Sequence, residues 1–325
     1  FVTENGLPIG YELFPGNMFE GHTLIPVLEK LKMRYQLEDV IFVADRGLLN
    51  KDNLEFLDKN NFKYIVGARI KNVSDKLQKE ILDEKNYKSI DIKWNANKNK
   101  KETSTQRLAV FNESKDRQLI VHYHSGRAKK DAHDRTKSIE KLYKKLSKSK
   151  DPKTLLNNYG YKKYLEVKGE SKLEVNESKI KEAAQWDGLL GVTTNLTNIT
   201  PEGLLMHYRG LWQIEECFRI NKHDLRMRPI YHWSPHRVKA HIAIAFMAFV
   251  CVRYLEYRVG LQSEKLSPEE IRKALLQTQA SIIRDKKSNQ SFLLPSKINL
   301  HAKEIYRIMR IKIPHQMMKI EQRSA

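Results

Sequence analysis

Apolar positions at the start of the chain bracket a turn: Phe1-Val2-Thr3 precedes Asn5-Gly6, and an apolar-rich stretch from Leu7 to Phe14 follows it. Asn-Gly supplies the positive φ angles of a tight turn, so a hairpin is expected here. Beyond Pro15-Gly16-Asn17 the spacing changes, and Leu24, Val27, Leu28 and Leu31 fall on one face of a helix from about His22 to Tyr35. The run Val40-Ile41-Phe42-Val43-Ala44 is continuously apolar, as a strand covered on both faces should be. Asn50 to Asn60 predicts a second helix, and Tyr64-Ile65-Val66-Gly67-Ala68 another buried strand. The order β-β-α-β-α-β, a hairpin combined with crossovers, predicts an α/β core.

From about Val73 to Gln185 Lys, Asn, Ser and Glu dominate, and apolar residues alternate in short stretches at Ser89 to Trp94, Arg107 to Phe111 and Tyr164 to Val167. These read as exposed antiparallel strands of an insertion within the core. Inside it, residues 127–153 hold eleven Lys and Arg against four acids, with Ile139, Leu142, Tyr143 and Leu146 at helical spacing, which predicts a basic amphipathic helix. The core resumes with a strand over Leu189 to Thr194, then three or four helices to about Arg310, with Pro201 and Pro268 at helix starts. The expected divisions are residues 1–72 and 186–258 for the core, 73–185 for the β-rich basic insertion and 259–325 for a helical C-terminal part.

The longest apolar run, Ile242 to Val252, is too short for a bilayer, which takes about 20 residues, and is expected to be a buried core helix. Cys217 and Cys251 fall in helical stretches outside any C-x-x-C pair, and are expected to be reduced, buried packing residues of a cytoplasmic protein. With 59 Lys and Arg against 39 Asp and Glu, the net charge is +20. That balance asks for an acidic partner, and nucleic acid fits better than a membrane surface because no lipid-anchor motif is present. No signal-peptide pattern is visible. The chain begins with Phe1 rather than Met, inside an apolar stretch, so it is expected to be truncated at its start. His122 and His124 share a face of a predicted strand and read as surface chemistry rather than a zinc site.

Candidate chemistry rests on two carboxylates. Asp45 ends the strand Val40 to Ala44, and a carboxylate there is projected into the crevice at the carboxyl edge of an α/β sheet, where ligands bind. Gly47 then lets the backbone turn away. The residues alone equally allow Asp45 to cap the next helix or to pair with Arg46. Glu215 lies seven residues from Tyr208 and seven from Lys222, and seven residues of α-helix return to within about 20° of the same face. One stripe would present a phenol, a carboxylate and an ammonium, while Leu211 and Phe218 on the same stripe equally allow a core face. Glu216 is rotated by about 100° and is the weaker candidate. Such acids in a basic chain suit a metal-dependent nuclease, although a third acid that such a site normally requires is missing.

Together these residues resemble the DDE transposases of bacterial insertion sequences, the large family whose second half carries Y-x-x-R-x-x-x-E-x-x-x-x-x-x-K. The pattern here reads Tyr208, Leu211 in place of Arg, Glu215 and Lys222. It is accompanied by Gly6-Leu7-Pro8-Ile9-Gly10-Tyr11-Glu12-Leu13-Phe14-Pro15-Gly16-Asn17, by Asp45-Arg46-Gly47-Leu48 and by Arg228-Pro229-Ile230-Tyr231-His232-Trp233. The resemblance runs from Phe1 to about Tyr257.

It implies a ribonuclease H-like α/β fold, a mixed sheet flanked by helices, in which two Asp and one Glu bind a pair of divalent metal ions, Mg²⁺ or Mn²⁺, for attack on a phosphodiester. By that resemblance Asp45 is the second acid and Glu215 the third. Tyr208 and Lys222 would contact phosphates of the transposon end, with Arg46 and Arg209 as further DNA contacts, Arg209 partly replacing the Arg that Leu211 displaces. Trp186 and Trp212 could stack on an unpaired base, with packing as the competing role. The family's first Asp lies on a strand before the opening hairpin, upstream of Phe1, so the chain alone is expected to be inactive. The expected partners are double-stranded DNA at terminal inverted repeats, target DNA and a second copy of the chain, with no membrane, on the nucleoid in the bacterial cytoplasm. Two rivals stand beside this reading: a non-catalytic remnant that occupies transposon ends, and a generic basic RNA-binding protein.

Overall fold

The computed structural model describes every residue except 4, 36–39, 49, 93–103, 115, 149–151, 169–171, 264–265, 314–315 and 321–325. The chain divides into two units, Phe14–Leu211 and Phe1–Leu13 with Trp212–Ala325. The first of these contains, in order, α1 (Leu24–Tyr35), β1 (Ile41–Ala44), α2 (Lys51–Lys59), β2 (Lys63–Ala68), α3 (Asp75–Leu82), β3 (Lys88–Ser89), β4 (Gln106–Ser114) and β5 (Arg117–His124). There follow α4 (Ser125–Lys148), α5 (Tyr159–Lys162), β6 (Leu165–Lys168), β7 (Lys172–Val175), α6 (Glu177–Ala184), β8 (Leu189–Thr194) and α7 (Pro201–Arg209). Six strands form one mixed sheet in the order β1-β2-β8-β5-β4-β3. β1 and β2 are parallel, with α2 as their crossover, and the other pairings are antiparallel.

Both faces of the sheet are covered because successive side chains point opposite ways. On β5, Ile120 joins Ile65, Val192, Leu204 and Leu205 in one cluster, whereas Leu119 and Val121 join Phe111, Ile81 and Trp186 in another. Tyr64 and Val66 of β2 meet Leu24 and Leu28 of α1 and Leu54 and Leu57 of α2. Capping side chains start the helices: Asn50 accepts the N–H of Asn53 at α2, and Thr200 accepts that of Gly203 at α7, where Pro201 takes the first turn as predicted.

The pairing revises several expectations. β1 has one neighbour, β2, so its residues are mostly half-buried rather than covered on both faces. β4 and β5, expected in an exposed insertion, belong to the main sheet through β8, and Leu119, Ile120 and Val121 are fully buried. What stands apart from that sheet is the β6–β7 hairpin, packed with α4 around Leu142, Tyr164 and Leu173. Leu142 is fully buried with Ile139 and Leu146 beside it, as the spacing of the basic helix required, while Tyr143 is 49% exposed. α4 is tied to the turn before β8 by a two-point ion pair between Arg135 and Asp187 and by the N–H of Gly188, which donates to Asp131 at 3.0 Å. Of the stretch Ser89 to Trp94, only Ser89 lies in a strand, and Lys93 and Trp94 fall outside the described residues.

The second unit holds α8 (Trp212–Arg219), a π-helical turn (Ile220–Asp224), α9 (Pro235–Gln262), α10 (Pro268–Leu276), β9 (Ala280–Arg284), β10 (Ser291–Pro295), α11 (Leu300–Ile308) and β11 (Met318–Lys319). A capping box of Ser267 and Glu270 starts α10 with Pro268 in its first turn, as predicted. α10 and α11 pack on α9 around Val259, Ile271, Ala302 and Ile305. The small antiparallel sheet β11-β10-β9 was not part of the helical expectation for residues 259–325. In the opening segment Gly6 has φ 73°, as the turn demanded, and the expected hairpin forms over a short span: Thr3 N–H donates to Leu7 O at 2.8 Å and Ile9 N–H to Phe1 O at 3.0 Å, on either side of a bridge from Val2 to Pro8. Val2 packs with Cys217, Ile220 and Phe249, and Arg253 Nε donates to Gly6 O at 3.2 Å.

α9 departs furthest from expectation. At 28 residues it is, among the described residues, the one helix long and apolar enough to cross a membrane, and 11% of its apolar stretch is buried. Its companions in this unit cover Phe249 and Val259 but leave Ile244, Met247 and Leu261 more than half exposed, so it is not a buried core helix. Cys251 on the same helix is free and exposed, whereas Cys217 is free and buried, which corrects the expectation for Cys251.

Candidate active site

β1 delivers Asp45 one residue past its carboxyl end, the position that open sheets use for ligands. The chain turns at once, with Leu48 N–H donating to the Asp45 carbonyl at 3.2 Å and Arg46 N–H donating to Asp45 Oδ1 at 2.7 Å. Helix capping, the competing role for Asp45, falls instead to Asn50.

Tyr208 reaches the same carboxylate from α7, its hydroxyl donating to Asp45 Oδ1 at 3.3 Å. Gly67 on β2 makes room for this approach: a Cβ there would lie 2.4 Å from the Tyr208 hydroxyl and 2.9 Å from the Arg46 nitrogen. A glycine inside an apolar strand is a sequence sign of such close approach. Burial, and then the Asp45 charge, push the Tyr208 phenol up to about 12, so at neutral pH it remains a protonated donor. Both hydrogen bonds end on Oδ1 of an exposed carboxylate. Asp45 therefore retains oxygen lone pairs of the hard type that Mg²⁺ or Mn²⁺ accepts.

Tyr208, Glu215 and Lys222 do not share one continuous helix. α7 ends at Arg209 with Gly210 as its cap, α8 begins at Trp212, and Lys222 sits in the π-helical turn. Glycine is among the poorest helix formers, which is the physical reason for the break. The single-stripe geometry is therefore corrected, and the first of these residues belongs to a different unit from the other two. On α8, Arg219 Nε donates to Glu216 Oε2 at 2.9 Å, while Glu215 is exposed. Trp212 is 52% exposed. Lys222 is exposed, with its ammonium 5.8 Å from the centre of the Phe218 ring.

The sequence model of a family described as a transposase DDE domain matches residues 1–251. The chain belongs to the DDE transposase family. No curated protein matches it as a relative. The mixed six-stranded sheet flanked by helices is consistent with the ribonuclease H-like fold of such transposases. Membership brings transposase function, a nuclease and transferase type of chemistry on DNA that generally uses divalent metal ions.

Other residues of this transposase domain gather cations near Asp45. Arg46 and Arg127 both act on the Tyr208 phenol, against the effects of burial and of Asp45. Arg46 is exposed, and its carbonyl accepts from Arg69 at 3.5 Å. His124 Nδ1 accepts the N–H groups of Gly126 and Arg127 at 3.1 and 3.3 Å, and its pKa is lowered by burial first and by Arg209 and Arg127 second. The His122 and His124 rings lie 6.1 Å apart, and His122 Nε2 is 3.2 Å from Gln106 Oε1. Among the described residues no group of three or more His, Cys, Asp and Glu side chains is placed to hold a metal ion. Trp186 is 8% exposed among Ile81, Phe111 and Leu119, with the Lys71 ammonium 5.6 Å over its ring. Its place is that of a core residue, not an open stacking face.

His122 carries a pH dependence. Burial, reinforced by His124, Arg127 and Arg209, pushes it down from 6.5 to about 4. The folded protein thus holds a neutral ring where the unfolded chain would bind a proton. Its contribution to stability is complete above pH 6.5 and is lost as pH falls toward 4, by at most roughly 3 kcal/mol. Urea midpoints of the native chain are expected to decline more steeply over this window than those of His122→Asn, and parallel profiles would contradict the assignment.

Proposed function

We propose that the chain serves insertion-sequence transposition, the cutting and joining of DNA at terminal inverted repeats, with Asp45 and Glu215 as two of the three metal-binding acids. The observation that supports this most directly is the Asp45 carboxylate beyond β1, held by the Tyr208 phenol, in a chain of net charge +20 whose family acts on DNA. Mg²⁺, with Mn²⁺ as a substitute, fits the oxygen chemistry of the two acids. Bound there, such ions activate a water or a 3′-hydroxyl and stabilise the leaving oxygen.

The chain's own residues orient the reaction. Tyr208 fixes the Asp45 carboxylate and, with Arg46, Arg209 and Lys222, contacts phosphates, which sets the register of the duplex. Trp212 offers an exposed ring to a base. A second copy of the chain occupies the other end of the element, and the work takes place on the bacterial nucleoid.

Anisotropy titrations at fixed salt test the reading, with terminal-repeat duplex, scrambled duplex and RNA of equal length as probes. Preference for the repeat of about tenfold or more is expected, since specific binding exceeds non-specific binding by larger factors still. Equal affinities would reduce the chain to a non-specific basic binder, and a preference for RNA would favour the RNA-binding rival. The family brings three acids, of which Asp45 and Glu215 are two, so the purified 325-residue chain is expected to hold ends in Mg²⁺ without cutting them. Mg²⁺-dependent cutting would mean that another of its carboxylates completes the site.

A further inference from the structure

In the unit that contains α8 to β11, the chain after the π-helical turn and the first half of α9 line an open cavity of about 440 Å³. That is the size of a small-ligand site, typically about 300–1,000 Å³. Leu225, Met227 and Ile244 give it an apolar lining, and Arg226, His232 and Arg237 contribute polar and cationic groups. The residues on either side of His232 carry the most exposed aromatic rings among the described residues, Trp233 at 98% and Tyr231 at 81%. Arg226 has φ 48°, a left-handed conformation that a non-glycine residue adopts at a cost and that gathers at ligand sites. From Leu225 to Val252 the sequence holds four Lys and Arg and no Asp or Glu.

These features narrow the occupant. Four cations without an acid select an anion, while the apolar lining and the two exposed rings select flat, weakly hydrated faces. A strand of unpaired nucleotides has both. A base in duplex offers proteins its edge, which would leave the two rings unused, whereas an unpaired base offers its face and every base has one. We propose that this cavity and the loop Leu225 to Trp233 form a seat for single-stranded DNA, with one base in the cavity and neighbours stacked on Tyr231 and Trp233. Arg226, Arg228 and Arg237 take the phosphates. The seat is sequence-tolerant, because stacking does not read base edges. The choice of DNA over RNA rests on the transposase reading.

Binding of labelled oligothymidine by the full 325-residue chain tests the proposal, beside a single strand of terminal-repeat sequence, the matching duplex and a single-stranded RNA of equal length. Trp233→Ala is expected to weaken both DNA single strands roughly tenfold, the effect of one lost stacking partner, and to change duplex affinity less than twofold. Combined Arg226→Ala and Arg237→Ala should weaken single-strand binding and lower its salt slope by about one to two. Should Trp233→Ala fail to fold, Tyr231→Ala and the arginine pair give the same reading. Unchanged single-strand affinity in the variants, an equal loss on duplex, or tighter binding of RNA would overturn the proposal. So would sedimentation showing that Trp233→Ala splits a dimer without altering single-strand affinity. Oligothymidine carries no terminal repeat, so its dependence on Trp233 is readable even if the chain shows no preference for insertion-sequence ends.

Discussion

Asp45→Asn is expected to lower the transposition frequency of a marked insertion sequence on the order of a thousandfold, measured where the transposase comprises this chain and the family's third acid. The substitution keeps the shape of the side chain but removes the charge and one oxygen from a ligand whose metal contributes several kcal/mol to the transition state. Folding should be unaffected, because the Asp45 carboxylate is exposed. Tyr208→Phe provides the contrast. Its ring keeps its place beside Ile65, Leu204 and Leu205, and only the donor to Asp45 is lost, a hydrogen bond to a charged group contributing about 1.5–3 kcal/mol. A fall of about ten- to a hundredfold is therefore expected. Retention of more than a tenth of native frequency by Asp45→Asn would remove that residue from the metal site.

Arg135→Ala should destabilise the Phe14–Leu211 unit by about 3–5 kcal/mol, the cost of leaving one member of a largely buried ion pair alone. The side chains of Arg135 and Asp187 are 14% and 16% exposed, and their second contact measures 2.7 Å. Asp187→Ala should cost a similar amount, and replacing both residues with apolar ones of similar volume should recover much of the loss. A double-mutant cycle in urea measures this, and single-variant losses below about 1 kcal/mol would show that the pair behaves as an exposed one. The consequence reaches function because Arg127 and the cationic surface of α4 are held against β8 through this turn.

How much could be seen in the sequence depended on whether the deciding interaction was local. β2 and β8 are legible because their apolar runs have the residues and length of buried strands. β4 alternates and β5 holds the apolar run Leu119-Ile120-Val121, but the place of this pair in the main sheet depends on a partner of β5 seventy or more positions away, as in the pairing of Leu119 with Thr193. Lys-rich neighbours therefore made them look like surface. Asp45 could be placed from the end of its strand. Its partner Tyr208 could not, since a seven-residue spacing tied that phenol to Glu215 while the contact that forms spans 163 residues over Gly67. Within α9 the run Ile242 to Val252 is apolar on all sides, so periodicity supplies no face, and burial was inferred from composition alone. The β9–β10 hairpin had a local sign in the turn around Asp285 to Asn289, where Asn289 adopts φ 55°, a conformation that asparagine tolerates better than most residues.

The open flank of α9 sets a rule for handling the protein. A chain of charge +20 clings to cellular nucleic acid until ions compete it away. Sulfate and other strongly hydrated salts also drive apolar surfaces together, and Ile244, Met247 and Leu261 stand ready to meet their counterparts on other molecules. Clearing the nucleic acid with sodium chloride in a mild non-ionic detergent keeps the two effects apart. Ammonium sulfate merges them, and the pellet it produces would report the stickiness of one helix, not a misfolded protein.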